Sequence, residues 1–308
     1  MKLIVVIPCY NEEQNIKRTT SEILKVLENI KSIGKISEYE MTYVDDGSTD
    51  MTWSIIEGLS CNVVHGLKLS HNVGHQNALW AGYEYAQDKC DVVVSIDADL
   101  QQDPNAISKM LDEFSKGNEV VYGIRNNRST DNLFKKLSSL SFYRIVRLLG
   151  VDILPNHADY RLLSNRACKT LVSYPECNIF IRGLVRNMGF QESVVYFDVR
   201  ERIGGKSKYS TSKMVNLAID GITSFSTKPL RLITILGIII IIMSICAAIY
   251  IFTSYTLGVS VPGWSSILLS VWFLGGVLVL ILGVIGEYVG KIYKEVKRRP
   301  KYHIDRRI

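Results

Sequence analysis

Two carboxylates one residue apart, followed at the same spacing by an amide, stand in Asp97-Ala98-Asp99-Leu100-Gln101. Alternate residues of an extended segment point the same way, so Asp97, Asp99 and Gln101 can offer hard oxygens to one point. Oxygen donors of that kind suit Mg2+ or Mn2+ better than zinc, and such ions are commonly bound together with substrate phosphates. A lone Asp-x-Asp reads more readily as a solvated acidic turn. Here it has company: further acids and amides in Pro8-Cys9-Tyr10-Asn11-Glu12 and Asp45-Asp46-Gly47-Ser48-Thr49-Asp50, and cations at Arg125, Arg128, Arg202, Lys206 and Lys208.

The element that must position the central pair is the apolar run from Val92 to Ile96, which reads as a buried strand delivering Asp97 at its carboxyl end. The same arrangement recurs. Leu3 to Ile7 runs into Pro8, Met41 to Val44 into Asp45, and Val63 to Leu69 into His71-Asn72-Val73-Gly74-His75-Gln76-Asn77. A helix of roughly 20 residues follows the first strand, capped by Asn11, with Ile16, Ile23, Leu24, Leu27 and Ile30 recurring at helical spacing. A second helix opens in 71–77 and continues through Leu79, Ala81, Tyr85 and Ala86, and a third follows Pro104 with Ile107, Met110, Leu111 and Phe114 on one face. Such alternation implies an α/β fold with a mostly parallel sheet, helices on both faces, and ligands at the carboxyl ends of the strands.

The cations fall beside later strands. Val120 to Ile124 delivers Arg125, with Arg128 three residues on, and guanidinium groups suit bidentate phosphate recognition, although a solvated loop would look the same. Val194 to Val199 reads as the final strand, leading to Arg200, Arg202, Lys206 and Lys208 around Gly204-Gly205. Positive charges on a glycine-rich loop can close over a phosphate or be drawn to anionic headgroups.

Other chemistries fit less well. His71 and His75 have a zinc-compatible spacing, but a turn signal separates them and no His-Glu-x-x-His occurs. Gly205-Lys206-Ser207 echoes a P-loop, yet the position five residues before Gly205 is Arg200, and no Gly-x-Gly-x-x-Gly follows a strand. The net charge of +6 is modest and its basic residues gather toward the C-terminus, which argues for a membrane surface and against nucleic acid. Six cysteines without a Cys-x-x-Cys pair read as reduced thiols of a cytosolic domain. Leu3 to Ile7 is too short for a signal peptide.

The 308 residues, 47% hydrophobic, allow one α/β domain and a further part. Residues 132–149 mix apolar and basic positions as an interfacial helix does, and 211–229 read as a juxtamembrane amphipathic helix with Met214, Leu217, Gly221 and Phe225 on one face. Residues 230–253 and 265–285 are each long and apolar enough to span a bilayer, giving a two-helix region over 230–286. The connection lacks Lys and Arg, whereas 287–308 form a basic tail, so both ends are expected in the cytoplasm of a multi-pass protein of the cell membrane. Gly286 and Gly290 are the feature that bears on a homo-oligomer.

Ile7-Pro8-Cys9-Tyr10-Asn11-Glu12, Val44 to Asp50, Asn72 to Gln76 and Asp97 to Gln101 occur in the order and spacing of family 2 glycosyltransferases with the GT-A fold. With Asp159-Tyr160-Arg161-Leu162-Leu163, Gly205-Lys206-Ser207-Lys208-Tyr209 and a membrane-anchored end, the chain resembles the polyprenyl-phosphate glycosyltransferases, which include dolichol-phosphate mannose synthases and bactoprenol glucosyltransferases. The resemblance implies a GT-A domain over 1–210 and a nucleotide-sugar site formed by Pro8, Tyr10, Asn11, Glu12, Asp45, Asp46, Gly74, Asp97 and Ala98. It puts Asp99 and Gln101 on the metal, Mg2+ or Mn2+, and Asp159 near the reacting centre, where it is commonly taken as the general base. Arg125, Arg128, Arg202, Lys206 and Lys208 would receive the acceptor phosphate. The implied reaction is inverting, metal-dependent transfer of a sugar, glucose from UDP-glucose as first expectation, to polyprenyl (undecaprenyl) phosphate for cell-envelope glycan modification. N-acetylglucosamine, mannose or a modified pentose remain alternatives, because sequence does not show the pocket that selects hydroxyls. The absence of Gln-x-x-Arg-Trp disfavours a processive polysaccharide synthase; a catalytically dead membrane scaffold is the remaining non-enzymatic reading.

Overall fold

The computed structural model describes residues 1–126, 157–177, 179–199, 226–257 and 263–308. Its sheet is built outward from β1 (Lys2–Cys9), whose residues from Leu3 onward are all buried, as the apolar run demands of a central strand. β1 pairs in parallel with β2 (Glu38–Asp45) and β4 (Val92–Ser95), and β2 in parallel with β3 (Val64–Leu69). Beyond β4 the direction reverses: β6 (His157–Ser164) runs antiparallel between β4 and β5 (Val120–Arg125), and β7 (Glu192–Phe197) pairs in parallel with β5. The order is β7-β5-β6-β4-β1-β2-β3-β8, where β8 (Ile304–Arg307) is antiparallel to β3.

Helices α1 (Ile16–Ser32), α2 (Thr52–Leu59), α3 (His75–Ala86) and α4 (Ala106–Ser115) fill the crossovers. α1 buries Ile16, Ile23, Leu27 and Ile30, the spaced positions read from the sequence. α3 packs tightly on the sheet: a Cβ on Gly82 would fall 2.2 Å from Val6 Cγ1, so glycine sets the helix-to-sheet approach. Two short helices, α5 (Asn165–Ser173) and α6 (Ile181–Asn187), follow β6.

A second unit holds the long helices α7 (Lys228–Thr256) and α8 (Trp264–Lys297), with the Tyr288 hydroxyl donating to the Ser226 carbonyl at 2.6 Å. They cover both expected spans. Among the described residues, however, one stretch, Phe273–Lys297, is long and apolar enough to cross a membrane by length and composition, with a mean hydropathy of 2.1.

Four expectations change. Asn11 does not cap α1; it takes a left-handed conformation (φ 52°) and turns to the β2 loop, leaving Asn15 at the cap position. β4 stops at Ser95, and Leu100 is left-handed (φ 56°), so Asp97, Asp99 and Gln101 are not alternate residues of an extended strand but stand on a tight turn. β7 begins at Glu192, ends at Phe197 and is not the last strand. Residues within 287–308 do not all form a tail: 298–308 belong to the sheet domain and carry β8, whose Ile-Asp-Arg-Arg sequence has none of the alternation that marks a strand. The interfacial helix over 132–149 and residues 211–225 of the juxtamembrane helix lie outside the described residues.

Candidate active site

The loops after β1 and β2 are laced into one wall. Asn11 accepts from Thr49 N at 2.9 Å while its own amide donates to Ser48 Oγ, also at 2.9 Å. The Glu12 amide donates to Thr52 Oγ1, and the Glu13 carboxylate accepts from Met51 N. Gly47 permits this closeness: it has φ 66°, and a Cβ there would stand 2.5 Å from the His71 carbonyl carbon. Pro8 sits within buried β1 at the level of Val44, and Tyr10 is partly exposed just beyond the strand.

Asp45 ends β2, fully buried. Its Oδ1 accepts from Ser48 N, but Oδ2 is buried without a partner, and burial raises the carboxyl pKa despite the Ser48 contacts. An orphaned buried acceptor at a sheet's ligand-binding edge can be satisfied by a ligand N–H. Asp46 differs: its two oxygens accept from the amides of Val73 (2.7 Å) and Gly74 (3.0 Å), so this carboxylate holds the turn into α3. Gly74, with φ 91°, is the residue from which α3 starts.

Asp97 is gripped by a residue the motif did not mark. Gln102, itself buried, accepts from the Asp97 backbone amide at 2.9 Å and donates to Asp97 Oδ2 at 2.5 Å, holding the residue by its backbone and by one carboxylate oxygen. Ala98 is buried, and its carbonyl accepts from Thr19 of α1. Burial raises the Asp97 pKa, and the charges of His75 and Arg125 oppose it. Asp99 and Gln101 are partly exposed on the same turn, where Asp99 Oδ1 accepts from the Gln101 amide at 3.1 Å. Among the described residues no three His, Cys, Asp or Glu side chains form a ready cage for a metal. The partly exposed carboxylate with a neighbouring amide fits instead an ion held by few protein oxygens and completed by phosphate, as Mg2+ and Mn2+ sites usually are.

Asp159 is the hub. It lies on β6 with its side chain 6% exposed. Oδ1 accepts from Arg161 Nη2 at 2.5 Å and Arg182 Nε at 3.1 Å; Oδ2 accepts from Arg182 Nη2 at 2.9 Å and lies 3.4 Å from His75 Nε2 and 3.5 Å from Gln76 Nε2. Burial alone would raise its pKa; Arg182, His75 and Arg161 outweigh burial and hold it well below the usual carboxylate range. His75 Nε2 is also 3.8 Å from Asp97 Oδ1. Burial opposes protonation of this imidazole, but the two carboxylates prevail and raise its pKa. The hub is tied to the sheet through Tyr83, whose hydroxyl donates to Ser95 Oγ, which donates to the Asp159 carbonyl at 2.6 Å.

The sequence-derived residues Asp97 and Asp159 are thus brought together through His75, with Arg125 within electrostatic reach of Asp97. Arg128, Arg202, Lys206 and Lys208 lie outside the described residues. Gln76, Gln102 and Arg182 escaped sequence reasoning as site residues. His75 was marked by the Asn-Val-Gly-His-Gln motif and by its spacing from His71, Gln76 by the motif alone, and Arg182 by nothing local.

Residues 4–219 match the family described as Glycosyl transferase family 2. Over 306 residues the chain is 44% identical to "Uncharacterized glycosyltransferase YkoT" of Bacillus subtilis (strain 168), covering 98% of this chain and 91% of that one. It is 37% identical over 308 residues to the SfII prophage-derived bactoprenol glucosyl transferase of Shigella flexneri, covering 99% and 97% of the two chains. It is 36% identical over 310 residues to the prophage bactoprenol glucosyl transferase homolog of Escherichia coli (strain K12), covering 99% of each.

Proposed function

The chain belongs to glycosyl transferase family 2, a transferase with the GT-A fold, and from that premise we propose that it moves glucose from UDP-glucose to polyprenyl phosphate at the cytoplasmic face of a membrane. The observation that carries this reading is the placing of an orphaned buried acceptor, Asp45 Oδ2, and a clamped carboxylate, Asp97, at the ends of strands β2 and β4, which flank β1, with the His75 imidazole 3.8 Å from Asp97 Oδ1. Two full-length relatives named for bactoprenol glucosyl transfer support the acceptor and the sugar.

On this reading Pro8, Tyr10, Asn11, Glu12 and Asp45 form the nucleotide cradle, and Asp97 faces the sugar. Asp46 acts one step back, by holding Val73 and Gly74. Asp99 and Gln101 would hold Mg2+ or Mn2+, which supplies charge neutralisation for the departing nucleoside diphosphate. Arg125, together with Arg128, Arg202, Lys206 and Lys208, draws in the acceptor phosphate. One phosphate oxygen attacks the anomeric carbon from the face opposite the leaving group, so configuration inverts. Helices α7 and α8 anchor the enzyme where its lipid resides, as two spans with the sheet domain and the C-terminus in the cytoplasm.

Purified full-length protein in non-ionic micelles, given polyprenyl phosphate and a panel of labelled nucleotide sugars, should form an acid-labile glucosylated lipid from UDP-glucose alone. Excess chelator, or Asp99→Asn, should abolish formation while leaving the melting temperature unchanged. Transfer from another donor would revise the sugar, and full activity after metal removal would overturn the role of Asp99 and Gln101.

A further inference from the structure

We infer that residues 298–308 are a strap that positions the hub: seated across α3 and the segment that leads into α6, they set His75, Gln76 and Arg182 for the transfer step and leave donor binding untouched. The inference rests on the reading above for the reaction that the strap serves.

Pro300 stands just beyond the end of α8, where a proline keeps the helix from continuing. The chain then runs along the edge of the sheet in a short ladder. β8 has four residues, Gly66 and Ile308 exchange backbone hydrogen bonds at 3.1 and 3.0 Å, and Ser70 N donates to the His303 carbonyl at 3.0 Å. Gly66 makes room for this crossing, since a Cβ there would stand 3.0 Å from Ile308 Cγ1. Apolar residues are few in Arg298-Arg299-Pro300-Lys301-Tyr302-His303-Ile304-Asp305-Arg306-Arg307-Ile308, so the segment buries little apolar surface of its own. Its seating depends on particular side chains, and it can loosen without unfolding the sheet.

Two of those side chains reach the supports of the hub. Lys301 Nζ lies 3.5 Å from the centre of the buried Trp80 ring on α3 and donates to the Tyr174 carbonyl at 3.4 Å. One ammonium group therefore joins α3 to the segment between α5 and α6, where Cys177 Sγ also lies 3.9 Å from the Arg299 carbonyl oxygen. The Tyr302 hydroxyl donates at 2.6 Å to Glu84, one turn beyond Trp80 on the same helix. Burial and the Glu84 carboxylate both raise the pKa of that hydroxyl, so it stays a donor.

α3 is one helix from His75 to Ala86, and a grip at Trp80 and Glu84 fixes its first turn. That turn holds His75, 3.4 Å from Asp159 Oδ2 and 3.8 Å from Asp97 Oδ1, and Gln76, whose Oε1 accepts from Ile181 N at 3.1 Å. Arg182, the next residue of α6, binds Asp159 through Nε and Nη2. The strap thus bears on α3, which carries two of the hub side chains, and on the segment leading to α6, which carries the third. The donor cradle is held by other contacts: Asn11 with Ser48 and Thr49, Glu12 with Thr52, and Asp97 with Gln102. Loosening the strap displaces the groups around the reacting centre and leaves the cradle in place, a misalignment that costs rate and not donor affinity.

Full-length protein in non-ionic micelles carries the test. The double variant Lys301→Ala/Tyr302→Phe should lower kcat about tenfold, with UDP affinity by calorimetry unchanged. Arg306→Ala removes a strap side chain that faces Glu57 of α2 at 3.7 Å, and should match wild type in both. Tyr302→Phe alone should give a smaller loss of kcat and covers the case in which the double variant fails to fold. Hydrogen exchange read by peptide mass should quicken in the double variant over 75–84 and 181–187 and stay at the wild-type rate over 2–9 and 38–45. That arm needs no turnover, so it judges the strap even if the wild type transfers nothing to polyprenyl phosphate, a result that would instead overturn the function proposed above. Wild-type exchange over 75–84 and 181–187, or wild-type kcat, in whichever variant folds would sink the inference. Exchange that quickens equally over 2–9, with weakened UDP binding, would sink it too, by making the segment a general support of the sheet.

Discussion

At the scale of single residues, Asp159 makes a stability claim as well as a chemical one. A buried carboxylate costs several kcal/mol in desolvation unless paired, and here Arg161 and Arg182 supply the pairing on a strand otherwise filled by Tyr160, Leu162 and Leu163. Asp159→Asn leaves Arg161 buried beside a neutral amide, and should destabilise the protein by about 3–5 kcal/mol near neutrality. The sign with pH follows from the direction of the shift. The folded pKa lies below the unfolded value of about 3.9, so the carboxylate's contribution is complete above that value and is lost as pH falls through the folded pKa. The gap in melting temperature between wild type and Asp159→Asn should therefore hold constant from pH 7 to about pH 5 and narrow below about pH 4. A gap that stays the same down to pH 3 would mean that the ion pair does not supply the difference.

At the scale of elements, the approach of α3 to the sheet aims the hub, because His75 and Gln76 occupy its first turn. Gly82 fixes that approach, since an added Cβ would stand 2.2 Å from Val6 Cγ1 and 3.2 Å from Val44 Cγ2. Gly82→Ala should cost about 1–3 kcal/mol by overpacking. Transfer should fall as well, because His75 and Gln76 move with the helix; pairing the change with Val6→Ala should recover part of both losses in melting and activity assays. The elements that carry Asp45 and Asp97 were legible because continuous apolar runs such as Leu3 to Ile7 and Val92 to Ile96 can be satisfied only by burial. β6 was not, for it places Asp159 and Arg161 inside the sheet and depends on Arg182, 23 residues further on, to make that tolerable. Gln102 escaped for the opposite reason. It is local to Asp97, but only the left-handed turn at Leu100 folds it back onto that carboxylate. Pairings of these two kinds leave no periodicity to read.

At the scale of the whole molecule, the end of the chain constrains the membrane topology more firmly than hydropathy does. Gly66 N donates to the Ile308 carbonyl at 3.1 Å and Ile308 N to the Gly66 carbonyl at 3.0 Å, while Ser70 N donates to the His303 carbonyl. The Tyr302 hydroxyl donates to Glu84 at 2.6 Å, and Lys301 Nζ lies 3.5 Å from the centre of the Trp80 ring. Residues 298–308 therefore belong to the same folded domain as β1 to β7. A chain that leaves that domain before α7 and returns to it after α8 crosses a bilayer an even number of times. The two spans proposed above are consistent with that return. α8, at 34 residues, is about 50 Å long and exceeds the hydrocarbon thickness of about 30 Å, and α7 is the second span we propose. The test is labelling of intact cells with a membrane-impermeant thiol reagent, read by peptide mass. Cysteine introduced as Ser260→Cys, between the two helices, should be modified from outside, whereas native Cys61, exposed on the sheet domain, should be modified only after permeabilisation. Protection of both sites until permeabilisation would mean that the helices lie along the membrane without crossing it. Labelling of Cys61 alone in intact cells would put the sheet domain, and with it the nucleotide-sugar site, on the outer face.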